Sequence, residues 1–350
     1  MKFSKRIAAV ALAVLLSLAG TACSPSGTAS SSGVASSAGT SSTGESGSSA
    51  AAKTVIRVAG LKGPTGLSMV KLMNDSKAGT ASGDDRFTLV SSPDEIVAKI
   101  SSGEVDVAAA PTNLAATLYH KTNGGVQLAA VTTLGVLYVL TAGGENVGKI
   151  SDLKGKTIYA SGQGSTPEYA LNYILRQNGL EPGKDVQVEY KSEHAELASL
   201  VIAGKAKIAV LPEPFVTQVL MKNSTAKVAL DLTQEWKKAA GDKSVLTMGC
   251  LIVRKKFAQE NKAALDSFLA DYKASAEYTN SNVEQAAKLS QDFGIMDSSV
   301  AQKAIPNCAI VYLDGAEMKE KIPEFLKVLY QANPKSVGGK LPADDFYYQR

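Results

Sequence analysis

Only three cysteines, two histidines and one tryptophan occur in the 350 residues, and each scarcity closes off a chemistry. No Cys-x-x-Cys pair exists, and His120 and His194 have no partner at a metal-ligand spacing, so no zinc site is expected. No Gly-x-Ser-x-Gly elbow is present to expose a nucleophilic serine. The glycine turns are not nucleotide motifs. "GLKGPTGLS" has no Lys-Ser or Lys-Thr ending, and "GQGSTPEYA" has no third glycine, so neither ATP nor a dinucleotide is expected as cofactor. Charge of one sign is missing as well: 37 basic residues are scattered against 33 acidic ones, for a net charge of +4. A nucleic-acid partner would require a basic stripe. After Lys53 no apolar run is long enough to cross a bilayer.

What is there begins with "MKFSKRIAAVALAVLLSLAGTACS", in which Lys2, Lys5 and Arg6 precede an apolar stretch from Ile7 to Ala19 and small residues up to Cys23. This is the layout of a secretory signal, too short for an ordinary membrane span. Its end resembles a bacterial lipobox, whose cysteine becomes the lipidated first residue of the mature protein, although Gly20 stands where such boxes prefer Leu. The alternative is a soluble secreted protein cut near Ala22. From Ser24 to about Ala52 nearly every residue is Ser, Gly, Ala or Thr. With no apolar surface to bury, such a segment behaves as a tether spanning about 30 Å. In an exported chain, Cys250 and Cys308 either pair or sit as two buried small hydrophobes.

The remaining chain, in a sequence that is 45% hydrophobic, is long enough for two lobes, and it repeats itself. "DEIVAKISSGEVDVAAAPTNLAATLYHK" from Asp94 echoes "AELASLVIAGKAKIAVLPEPFVTQVLMK" from Ala195. An offset of 101 links Gly63 to Gly164, Thr65 to Thr166, Ser91 to Ser192, Gly103 to Gly204 and Pro111 to Pro212. Each copy reads strand, glycine turn, helix, strand, helix, strand, proline, helix. The strands are continuous apolar runs, as expected where helices cover both faces of a sheet. The pattern predicts an α/β protein of two similar lobes, each built on a parallel-type sheet. "GVQLAAVTTLGVLYVLTAGG" and "SVLTMGCLIVRKKF" fall where the chain must pass between lobes, and are read as two hinge connections. The segments are then 1–22 signal peptide, 23–52 tether, 53–140 first lobe, 141–247 second lobe, and 248–350 a return to the first lobe with C-terminal helices that pack across both.

In open α/β sheets ligands bind beyond the carboxyl ends of the strands. In the first copy these ends carry Gly63, Pro64, Thr65 and Gly66, then Ser91, then Thr112 and Asn113 after Pro111. In the second they carry Gly164, Ser165 and Thr166, and Glu213 between Pro212 and Pro214. Helix starts at these turns offer unpaired amides and a dipole suited to a carboxylate, sulfonate or similar group, although simple capping explains any one of them. Glu213 either takes a donor from the ligand or merely suits a helix start. Trp236 and Tyr138 either stack on a ring or belong to the core.

The leader, tether and duplicated lobes, with "SSGEVDVAAAPTNLAATL", "IAGKAKIAVLPEPFVTQVL" and the helical tail from "KKFAQENKAALDSFLADYKASAEYTNS", resemble solute-binding lipoproteins of ABC importers. The resemblance covers the chain from about Thr54 onward and is closest to the binders of sulfonates, nitrate, taurine and thiamine-pyrimidine precursors. It implies a type II periplasmic-binding fold and a monomer held by lipid on the outer face of the cytoplasmic membrane. It also implies capture of a small molecule between lobes and its delivery to a permease driven by a cytoplasmic ATPase. Carried over by position, the site comprises the Gly63–Gly66 and Gly164–Thr166 turns, Thr112, Asn113 and Glu213. No Lys or Arg cluster is evident at the strand ends, so a neutral or zwitterionic organic ligand is expected rather than an inorganic anion. The Cys- and His-rich signature of related thiamine-pyrimidine enzymes of yeast is also missing, which argues against catalysis. An extracytoplasmic enzyme using Glu213 with a serine, and a sensory lipoprotein, are the competing readings.

Overall fold

The computed structural model describes residues 53–350; the signal segment, Cys23 and the tether lie outside them. The first copy runs β1 (Val55–Leu61), α1 (Pro64–Leu67), α2 (Val70–Ala78), β2 (Asp84–Val90), α3 (Pro93–Ser102), β3 (Val107–Pro111) and α4 (Thr112–Lys121). Then come β4 (Val126–Leu134) and β5 (Leu137–Thr141). The second copy is β6 (Thr157–Ser161), α5 (Thr166–Gln177), β7 (Gln187–Lys191), α6 (His194–Ile202), β8 (Ile208–Pro212) and α7 (Phe215–Lys222). It is followed by β9 (Lys227–Asp231), α8 (Leu232–Ala240) and β10 (Thr247–Arg254). The tail holds α9 (Lys255–Glu260), α10 (Lys262–Ser281), α11 (Val283–Asp292), α12 (Ser298–Ala304), β11 (Ile310–Leu313) and α13 (Gly315–Ala332).

Two sheets result, ordered β2-β1-β3-β10-β4-β11 and β7-β6-β8-β5-β9. The first five strands of the one match the five of the other in order, β11 being the extra edge strand, and β3 and β8 begin and end 101 residues apart. Both of these central strands are buried along their whole length, which is why they read as unbroken apolar runs rather than alternating ones. The edge strands β2 and β7 alternate instead.

The sheets are mixed, which corrects the parallel expectation. β1, β2 and β3 run parallel, as do β6, β7 and β8. β10 enters antiparallel between β3 and β4, and β5 antiparallel between β8 and β9. The two segments read as hinge connections therefore contribute strands. The second strand after each copy, β5 after the first and β10 after the second, enters the sheet of the other copy. The chain changes sheet between Leu134 and Leu137, ahead of the expected boundary at 140, and again between Ala240 and Thr247.

One apolar cluster runs from Ala108 and Leu128 in the first lobe, through Met318 and Phe325 of α13, to Val139, Ile158 and Leu171 in the second. Trp236 belongs to this core: it is buried, its indole N–H donates to Ser244 O at 3.1 Å, and its ring packs on Phe325. The other face of the first sheet closes on α2 and α10 through Val58, Leu72, Leu251 and Phe268. The tail crosses between lobes as anticipated, with α12 against α7 and α13 against α5. Cys250 and Cys308 are free and buried. Among the described residues no helix is long and apolar enough to cross a membrane, and no cluster of metal-ligating side chains occurs.

Candidate functional site

Where the carboxyl ends of the central strands of the two sheets face each other lies a half-open cavity of about 50 Å³. The first lobe supplies Leu61, Lys62, Gly63, Pro64 and Thr65 from the turn after β1, and Pro111 at the end of β3. The second supplies Ser165, Pro167, His194 and Pro212, and the two crossings supply Thr133, Val136, Met248 and Gly249. Water-sized occupants need roughly 10–15 Å³ each, so the space fits a compact group. Four prolines with Leu61, Val136 and Met248 make most of the wall apolar, and no acidic side chain lines it.

Local sequence explains how the polar groups are held. Pro64 opens α1, where its missing N–H costs nothing, and the Thr65 hydroxyl donates back to Leu61 O at 3.1 Å. Ser165 is the residue before α5, extended in backbone, and its hydroxyl donates to Gly162 O at 2.6 Å. His194 begins α6; its Nδ1 lies 2.7 Å from Ser161 Oγ and its ring packs 5.5 Å from that of Phe215. Burial pushes the imidazole pKa down to about 4, so the ring is neutral at pH 7 and offers the cavity no charge.

Of the residues singled out from the sequence, Gly63, Pro64, Thr65 and Ser165 line the cavity. Gly66 lies one step further into α1 and does not line it. Ser91 is half-buried, with its N–H directed to Glu95 Oε1 in the cap of α3. Thr112 is buried at the start of α4. Asn113, Gly164 and Thr166 meet one another instead of the cavity. Asn113 Nδ2 donates to Ser336 O at 3.0 Å and Gly164 O at 3.4 Å, and Thr166 Oγ1 donates to Asn113 Oδ1 at 3.1 Å. Asn113 and Thr166 are both fully buried, so the first helix turns of the two copies are fastened across the lobes.

Glu213 does not line the cavity. Its carboxylate accepts the Thr217 N–H and the Thr217 hydroxyl, each at 3.0 Å, which caps α7 and turns the acid into its own helix. Burial pushes its pKa up and the Thr217 bonds oppose that shift. Tyr138 is a strand residue of β5 and does not line the cavity either. Sequence reasoning missed Thr133, Val136, Met248 and Gly249, which sit on or between the crossing strands. The signal available was position: a strand passing between lobes must pass the cleft.

A family model described as ABC transporter, phosphonate, periplasmic substrate-binding protein matches residues 84–304. No curated protein matches the chain. Among solved structures, an ABC transporter protein from Parabacteroides distasonis superposes with a TM-score of 0.70 at 26% identity, covering 85% of this chain and 99% of that one. The periplasmic aliphatic sulphonate binding protein SsuA from Escherichia coli gives a TM-score of 0.65 at 17% identity, covering 84% and 92%. The periplasmic nitrate-binding protein NrtA from Synechocystis gives 0.54 at 15% identity, covering 68% and 66%. At such identities the last two speak to the fold, which is the two-lobed one described above. The family model extends over most of the chain, and the chain belongs to the phosphonate-type periplasmic substrate-binding family, as the component of an ABC importer that captures its small molecule.

Proposed function

We propose that the ligand is a compact organic anion, such as a short-chain sulfonate or phosphonate, held in the cavity between the lobes and handed unchanged to a membrane permease with its ATPase. The observation that carries this reading is the wall itself: apolar over most of its area, free of acidic side chains, with Lys62 at its edge and hydroxyls from both lobes. The zwitterionic ligand expected from Glu213 is not retained, because Thr217 already occupies that carboxylate and an ammonium group would find no acid in the wall. The phosphonate family model and the sulphonate-binding neighbour point to the same chemical class.

Capture works by population shift. A ligand touching both lobes binds only when they are together, and favours closure by that difference in affinity. A dissociation constant near 1 μM corresponds to about 8 kcal/mol, within reach of a few buried hydrogen bonds and an apolar wall. The protein acts as a monomer tethered by lipid on Cys23 with its folded body outside the cytoplasmic membrane; Cys23→Ser is expected to move it from the membrane pellet to the soluble fraction. Mass spectrometry of small molecules carried through native purification tests the ligand class, and calorimetry with methanesulfonate, methylphosphonate, taurine and nitrate ranks the candidates. Recovery of a cationic molecule, or of a chemically altered one, overturns the proposal.

A further inference from the structure

Thr133, at the end of β4, is only 1% exposed and lines the cavity. Its Oγ1 is shut off from solvent and has no hydrogen-bond partner. A buried hydroxyl left unbonded costs stability rather than adding it, and of the described side chains in that state Thr133 is the one that lines the cavity. Thr65, which also lines the wall, directs its hydroxyl to Leu61 O at 3.1 Å and makes no bond to Thr133.

Opposite Thr133 on β10 stands Gly249, paired with it across a local shift of register and likewise lining the cavity. A Cβ placed at Gly249 would lie 2.9 Å from Thr133 Oγ1 and 2.9 Å from Thr65 Cγ2, closer than such contacts allow. A glycine inside a strand packs nothing itself, and often marks a point where a ligand or another backbone comes close. Here it lets the Thr133 and Thr65 side chains pack directly against the backbone of β10, which fixes where the unbonded hydroxyl sits in the wall.

We propose that Thr133 is the specificity-determining hydroxyl of the site: it donates to an acceptor oxygen of the bound ligand, and the lack of a side chain at Gly249 lets Thr133 keep its place in the wall. This rests on the reading of the cavity as the site for a compact organic anion. A sulfonate or phosphonate oxygen satisfies the hydroxyl, and the rest of a short ligand meets Val136, Met248 and the prolines. A ligand presenting only C–H groups at this end leaves the hydroxyl unsatisfied and is rejected for that reason.

The test compares Thr133→Val, which keeps the branched shape and removes the hydroxyl, with Thr133→Ser, which keeps the hydroxyl. Calorimetry with methanesulfonate and methylphosphonate is expected to show Thr133→Val weaker by at least tenfold, about 1.4 kcal/mol, and Thr133→Ser within about threefold of the wild type. The empty Thr133→Val protein is expected to melt at or above the wild-type temperature. Equal affinity of Thr133→Val and wild type overturns the role of Thr133 and leaves the ligand class standing. A melting temperature several degrees below wild type overturns it too, because the hydroxyl is then structural. If wild type binds neither probe, the class falls, and Thr133 is judged on the molecules carried through purification. Loss from Thr133→Val but not from Thr133→Ser upholds its role; equal carry-over, or none in any of the proteins, overturns it.

Discussion

Asn113→Ala removes a side chain that never touches the cavity, yet it is expected to weaken ligand binding. Asn113 is fully buried and makes three side-chain hydrogen bonds, to Ser336 O, Gly164 O and Thr166 Oγ1. The last two join the lobes. At about 0.5–1.5 kcal/mol net per bond, with the 3.4 Å contact to Gly164 at the low end, they favour the closed arrangement by about 1–2 kcal/mol. Losing that much lowers the closed-to-open ratio roughly 5- to 30-fold. Where the closed form is the minor species of the empty protein, apparent affinity falls by the same factor. The Ser336 bond complicates Asn113→Ala, because it ties α4 to the turn at Pro334–Val337 and its loss lowers general stability. Thr166→Val spares that bond and removes only the Asn113–Thr166 part of the link between lobes. Calorimetry gives the affinities, and both variants are expected to bind more weakly; where the closed form is instead the major species of the empty protein, small-angle scattering of the empty variants is expected to show a larger radius of gyration. Affinities within twofold of wild type in two folded variants would refute the latch.

Glu213→Ala is expected to lower the melting temperature by a few degrees through loss of the α7 cap, at a cost of about 1–2 kcal/mol, and to leave ligand affinity within threefold; a tenfold affinity loss at constant melting temperature would place the carboxylate on the ligand after all. Gly249→Ala is expected to lose at least tenfold in affinity for methanesulfonate, since the new methyl group displaces Thr133 and Thr65, and unchanged calorimetry would show that their placement does not matter to the ligand. Asp85 is buried with neither carboxylate oxygen bonded, and burial, with Asp271 and Asp84 nearby, pushes its pKa up to about 6. A raised acid pKa means that its contribution is fully present below the ordinary value near 3.8 and is lost as pH rises through 6. Asp85→Asn is therefore expected to flatten the fall in stability between pH 4 and 6 and to be the more stable protein at pH 7.5, as read from denaturant melts; an unaltered slope would refute this.

Much of the architecture was legible because the repeat carried its own registration. Pro111 and Pro212 end equivalent central strands, and Gly103 and Gly204 stop equivalent helices. Strand direction in the crossings was not legible. Apolar runs such as "LAAVTTL" and "GCLIVR" carry no sign of whether they pair parallel or antiparallel, or with which copy, since that is settled by where the chain arrives in space. The lining of the candidate cavity divided along the same line. Turns within a copy, at Gly63–Thr65 and Ser165, were visible from glycine, proline and cap chemistry. Thr133 and Gly249 looked like ordinary strand residues until the lobes were brought together. Glu213 misled because its prolines drew attention to the strand end, whereas its bonding partner, Thr217, lies one helical turn ahead.

The exchange of strands between the copies also sets an order of assembly. β10 lies between β3 and β4, so the first sheet has a gap at its middle until the chain has been made past Arg254. During that interval β3 and β4 each present an unpaired edge, a template for mispairing. A gene fragment ending at the first copy should therefore yield an insoluble product, and an intact chain should gain protease resistance in a single late step instead of lobe by lobe.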